Sequence, residues 1–448
     1  MLSVSSILGY GFPEQSLTTA LDHHPHYIGV DGGSTDPGAY YLGSGKCLNQ
    51  RMLVKRDLRL MLMAGVPRKI PVVIGTCGGA GGAPHLMEVA SLAREIAREE
   101  GLKFRMAQIH AEQGKADVLK WLEQGRMTAL RNVPELTPEA IRKSARIVGM
   151  MGAEPFMRAL DEGADVVLAG RASDAASWAG CAMRMGAQPA PSWYAGKLLE
   201  CGAASATPKG HDCLLATVRD GHVDVMPMNP ARRCTPHSVA MHGLHENASP
   251  TIHEEPGGVL DATDCTFTSL TSHAVRVANM QWRNRPYDVK LEGAELVGFR
   301  SIAICGTRDP ILIGKIDWYL QTAKDDIATR AKAFGVSPER YHLVFHVYGK
   351  DGVMGAAEPV RMIASHELGI VVEVVAQDQE DANAVLAIAR VVIAKVDFEG
   401  RLCKSGNVAY PFSPADIEAG QVFKFSLFHV VRIDDPFLMF PIEFEQVN

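Results

Sequence analysis

No two cysteines in this chain stand close enough to form a CxxC pair. Cys47, Cys77, Cys181, Cys201, Cys213, Cys234, Cys265, Cys305 and Cys403 are widely separated and odd in number. That excludes a compact zinc knuckle and a thioredoxin-like pair, and points to reduced, mostly structural thiols in a cytoplasmic protein. No apolar run is long enough to span a bilayer, and the opening MLSVSSILGYGFPEQ lacks a basic stretch followed by a sustained apolar one. A soluble protein with no membrane partner is therefore expected. Net charge is small: 45 basic against 51 acidic residues leave -6, which argues against a general nucleic-acid surface. Three motifs of known chemistry are also missing: a GxGxxG after a strand, a GxxxxGK[ST] phosphate loop and an HExxH zinc helix.

What is present is material for a large core. The chain has 448 residues, 47% of them hydrophobic, a size that favours two or three domains. His26–Val30 reads as a strand, Asn49–Ala64 as an amphipathic helix and Ile70–Ile74 as a second strand. The glycine-rich run Gly75–His85 follows, then a helix over Leu86–Glu100. Lys103–His110 reads as a strand, Ala116–Gln124 and Glu139–Arg146 as helices, and Ala164–Ala169 as another strand. Strands alternating with helices at this rhythm predict an α/β fold, a mostly parallel, doubly wound sheet covered on both faces. Short strands after about residue 210, with Asp220-Gly221 marking a hairpin, predict a mixed second layer. Strand and helix signals over Glu367–Val375 and Glu380–Ala394 predict a small α+β C-terminal domain. The segments expected are 1–200, 201–345 and 346–448.

In an open α/β sheet, ligands bind beyond the carboxyl ends of the strands. Asp31 and Asp36 lie in the first such loop, either as site residues or as caps of a turn. The amides around Gly78, Gly79, Gly81 and Gly82 would suit a carboxylate or phosphate at a helix N-terminus; the alternative is a close-packed turn. Cys77 in that loop has no specified base. In the third loop, Arg171 and Asp174 read as a carboxylate clamp with its orienting acid, or as a structural pair. Lys350 and Asp351, in a glycine-flanked loop, could reach a ligand or make a charged turn.

The densest concentration of chemistry is Thr235–Asp261. It combines His237, His242, His245, Glu246, Asn247, His253, Glu254, Glu255 and Asp261 with Gly257 and Gly258, and has little apolar periodicity. Either these groups converge on a ligand, or the stretch is a polar loop whose histidines pair locally. Proton removal next to a carboxylate needs a placed base and a stabilised negative charge. Glu255, His237, His242 and Asp174 are the candidate catalytic groups; Asp31, Asp36, Arg171, Asn247, Lys350 and the glycine amides are the candidate substrate contacts. An oxygen-rich set of Asp31, Asp36, Asp174 and Glu255 would suit magnesium or manganese better than zinc.

Several motifs also occur in a recognisable order: Gly75–Gly82, Asp165–Asp174, Leu199-Glu-Cys-Gly202, Thr235–Ala240 with Glu255–Asp261, and Tyr348–Gly355. On these the chain resembles the acyclic terpene utilisation AtuA-like family. The resemblance implies catabolism of branched isoprenoid acids or related carboxylates. Lyase, hydratase or isomerase chemistry on a small carboxylate is the leading expectation. A non-catalytic binding or scaffold subunit of a catabolic complex is the alternative, with a homo-oligomer or a second catabolic subunit as partner.

Overall fold

A computed structural model describes every residue except 131, 246 and 247. The chain forms two compact units, Met1–Glu295 with Phe425–Asn448, and Leu296–Lys424.

The first unit is built on a ten-stranded mixed sheet. Its order is Thr266–Ser269, Val275–Ala278, His222–Pro227, Leu214–Arg219, Leu2–Ser3, Ile28–Asp31, Val72–Gly75, Val166–Ala169, Phe104–Ile109 and Ile442–Val447. The five strands from Leu2–Ser3 to Phe104–Ile109 run parallel. The other pairings are antiparallel, so the sheet is less parallel than the alternation of the first 170 residues suggests. The reason is that hairpins from later in the chain, and the last strand of all, extend the parallel core at both edges.

The parallel strands are apolar on both sides. Val72, Ile74, Val166 and Leu168 pack on Leu58, Met61, Val89 and Ile96 from the helices Arg51–Gly65 and Ala83–Glu100. The alternate residues Val73, Val167 and Ala169 pack on Phe156, Trp178 and Leu198 from the helices Glu154–Asp161, Ala176–Arg184 and Pro189–Leu199. A strand buried on both faces cannot alternate apolar with polar, so these read as short continuous runs.

Two local expectations change. The helix expected over Glu139–Arg146 stops at Lys143, where the Ser144 hydroxyl donates to the Ala140 carbonyl. Ser144–Gly149 then forms a strand paired with the start of Asp288–Thr307. The polar stretch Thr235–Asp261 is not one loop: Pro236–Gly243 is a helix capped by Thr235, and Ile252–Glu255 and Gly258–Asp261 form a hairpin.

The second unit is an α+β arrangement. Tyr341–Tyr348, Leu368–Ala376 and the later part of Asp288–Thr307 form an antiparallel sheet. The helices Ile316–Ala333 and Gln379–Ile393 supply Tyr319, Ile327, Leu386 and Ile393 to its core. Among the described residues, no helix is long and apolar enough to cross a membrane.

Candidate functional site

The carboxyl ends of three parallel strands bring three loops together. Asp31 closes Ile28–Asp31 opposite Gly75. Arg171 follows Val166–Ala169, and its backbone lies so close to Gly81 that a Cβ there would sit 2.1 Å from the Arg171 nitrogen. Thr76, at φ 36°, joins the same loops: its hydroxyl accepts from the Ala172 amide at 3.2 Å.

Several donors of the glycine loop are used within the protein. The amides of Gly79 and Gly81 go to the carbonyls of Thr76 and Cys77. Gly82 donates to the His85 Nδ1 at 3.2 Å and Ala83 to Glu112 at 2.8 Å. Gly78 and Gly79 also press against His85, Cys47 and Leu48, where a Cβ would fall within 2.7 Å. Close packing thus requires glycine at Gly78 and Gly79.

Arg171 is 3% exposed, and Nε and Nη1 of its guanidinium bond protein groups. It donates to Glu292 at 2.8 Å, to the Ala172 carbonyl at 2.7 Å and to Asp174 at 3.1 Å. Glu292 is buried and also pairs with Lys290 at 2.7 Å. These cations hold its carboxyl down to about 2 against the cost of burial. Arg171 thus fixes Asp174 through Nη1.

Around Asp174 gather three further acids whose charges interact. Asp31 is 6% exposed, takes the Gly33 amide at 3.2 Å on one oxygen and has no hydrogen-bond partner for the other. Burial, with Asp174 beside it, pushes its pKa well above the usual carboxylate range. Glu200 is buried at the end of Pro189–Leu199 and pairs with Lys197 at 2.6 Å. Burial raises it to about 8, against the pull of Lys197. Glu255 accepts from the Ser173 hydroxyl at 2.5 Å. Burial, reinforced by Asp174, pushes it up to about 7, partly offset by Ser173, Lys197 and Lys290.

The hairpin carrying Glu255 turns at Pro256-Gly257, with Gly257 at φ 84°. It is clamped by Trp282, which stacks on Trp193 at 5.4 Å; a Cβ at Gly258 would lie 2.2 Å from that indole. Glu255 also lines a cleft of about 770 Å³ whose wall includes Arg126, Arg285, Lys290 and Arg432. Close to it, Tyr287 donates to Glu154 at 2.7 Å and accepts from the Gly152 amide at 3.2 Å.

Of the other residues singled out from sequence, Asp36 and His237 are surface groups. Asp36 is exposed and accepts from Ser34 at 2.6 Å. His237 is exposed on Pro236–Gly243. Lys350 is in the second unit, bound to Asp317 at 3.0 Å and to Asp351. Asn247 and Glu246 lie outside the described residues. His242 is buried on the same helix as His237, and its Nε2 bonds the Lys197 carbonyl at 3.1 Å. Burial lowers its pKa to about 4, so the imidazole is neutral at pH 7. Glu200, Cys201 and His242 each offer one ligand atom, all within 4.8 Å of one another.

Sequence reasoning missed Lys197, Glu292 and the Tyr287–Glu154 pair, and undervalued Glu200. One signal was available: Glu200 lies in Leu199-Glu-Cys-Gly202, whereas Glu292 shares its strand with Asp288, Lys290 and Glu295 and nothing sets it apart.

Residues 53–398 match the family model described as Acyclic terpene utilisation family protein AtuA, and the chain belongs to that family. No curated protein and no solved structure matches.

Proposed function

We propose that this member of the AtuA family is an enzyme of small or branched carboxylate catabolism, working by lyase, hydratase or isomerase chemistry on an acidic substrate. One observation carries the reading. Glu255, a carboxyl raised to about 7, lines a cleft together with Arg126, Arg285, Lys290 and Arg432. A group with a pKa near the working pH is suited to taking and returning a proton.

The arginines are paired at present with Asp434, Glu254 and Asp288. Exposed ion pairs are worth roughly 0–1 kcal/mol, so a substrate carboxylate can replace those partners at little cost. Ser173 holds one oxygen of Glu255, and the other carries the proton taken from the carbon next to the bound carboxylate. Asp174, fixed by Arg171, keeps Glu255 basic. Magnesium or manganese would suit the oxygens of Asp31 and Asp174, where one buried Asp31 oxygen has no partner.

The test is hydrogen exchange in heavy water, followed by proton magnetic resonance on a panel of short branched and unsaturated carboxylates. At least one member should lose its proton next to the carboxylate, and Glu255→Gln should slow that exchange by about 100-fold or more. Exchange at the wild-type rate in Glu255→Gln would remove Glu255 as the base. A panel left wholly unexchanged would end the proton-abstraction reading.

A second reading, a scaffold subunit that meets a homo-oligomeric or catabolic partner, draws on the exposed apolar loop of the second unit. There Val353 is 87% and Met362 79% exposed. A solution mass above the monomer that falls on replacing both with aspartate would favour it.

A further inference from the structure

We propose that Glu200, Cys201 and His242 bind one divalent cation of intermediate softness, of the zinc class, through one oxygen, one sulfur and one nitrogen. The three ligand atoms lie within 4.8 Å of one another. Ligands at about 2.0–2.3 Å from a tetrahedral ion stand roughly 3.5 Å apart, so side-chain shifts of about an ångström close the site.

The surroundings are already arranged as a metal site needs. A carbonyl oxygen only accepts, so the bond from His242 Nε2 to the Lys197 carbonyl places the ring proton on Nε2. The lone pair is then on Nδ1, the tautomer that a second bond of this kind selects in ligating histidines. Lys197 takes one oxygen of Glu200 at 2.6 Å and leaves the other as donor. Glu200 and Cys201 leave the helix Pro189–Leu199 together. The turn after them is fixed by Gly202 at φ 55°, where a Cβ would lie 2.7 Å from the Ser5 backbone.

The donor set chooses the ion. Thiolate and imidazole favour zinc, iron or cobalt over magnesium, calcium or manganese. Among the described residues three ligands come from the protein, as opposed to four, which leaves a coordination position for water or substrate, the pattern of catalytic sites. One divalent ion and Lys197 against a thiolate and a carboxylate leave a single positive charge beside Asp174 and Glu255, the groups whose charges already act on Glu200. Building on the carboxylate-enzyme reading, this ion would hold an oxygen of the substrate while Glu255 moves the proton.

The test needs no substrate. The full-length protein is stripped with chelator and titrated with Co2+, following the thiolate-to-cobalt charge-transfer absorption, with elemental analysis after gel filtration. One equivalent should bind with that absorption, and Zn2+ should abolish it by displacement. Cys201→Ser should lose the band, His242→Ala should weaken binding by tenfold or more, and Cys403→Ser, an exposed thiol in the second unit, should match wild type. The proposal is overturned if the wild-type protein gives no thiolate band, if the band survives in Cys201→Ser, or if His242→Ala binds as wild type. Because the wild-type titration stands alone, a variant that fails to fold does not rescue it. The band does not depend on Glu255: an intact band with no proton exchange would sink the base and keep the metal.

Discussion

The Glu255 carboxyl is pulled in two directions by groups far apart in the chain. Burial and Asp174 push it up to about 7 from an ordinary 4.5, while Ser173, Lys197 and Lys290 pull it down. A raised carboxyl pKa means that the folded protein holds a proton which the unfolded chain has already released. The stability it contributes is therefore complete below about 4.5 and is lost as the pH rises through about 7. Glu255→Gln has no such loss, so its melting temperature relative to wild type should be more favourable at pH 8 than at pH 5. At roughly 1.4 kcal/mol per pKa unit, the swing is a few kcal/mol at most. An equal difference at both pH values would mean that Glu255 titrates normally. The residue itself was legible, standing in Glu255-Pro-Gly-Gly258 amid an otherwise polar stretch. Its pKa was not, because Lys197 lies on a helix and Lys290 on a strand that only folding brings near it.

At the level of elements, the strand, glycine loop and helix over Val72–Glu100 was the clearest unit in the sequence, and the structure forms it. The purpose of its glycines was not readable. An amide cradle and a tight crossing of two loops require the same residue for different reasons, and only the neighbour decides. At Gly81 the neighbour is the Arg171 backbone, and φ is 65°. Gly163 has a similar φ of 87°, but a Cβ there would meet no atom within 4 Å, so the two separate strain from collision. Gly163→Ala should cost about 1–2 kcal/mol, the ordinary left-handed penalty. Gly81→Ala should cost well beyond that, since neither backbone can yield without moving Asp174. Urea unfolding midpoints of the two variants measure the difference; equal losses would mean that the loops relax freely. The helix expected to run to Arg146 shows the opposite ambiguity: Arg-Ile-Val is compatible with either state, and pairing with Asp288–Thr307 settles it as strand.

On the scale of the whole molecule, alternation gave the α/β class, but not which late segments would join the first sheet. Ile442–Val447 pairs with Phe104–Ile109, a contact that no local pattern encodes, and it returns these residues to the first unit after the second is complete. The second unit keeps a core of its own, in which Leu386 is fully buried with Tyr319, Ile370 and Val372. None of these belongs to the clusters around the parallel strands. Leu386→Ala removes buried methyl groups and leaves a cavity, which costs about 2–5 kcal/mol. Because its contacts stay within Leu296–Lys424, hydrogen exchange should quicken in the strands Tyr341–Tyr348 and Leu368–Ala376 and in the helix Gln379–Ile393. The strands Val72–Gly75 and Val166–Ala169, whose side chains pack in other clusters, should keep their protection. Equal deprotection of those strands would show that the two cores open as one cooperative unit.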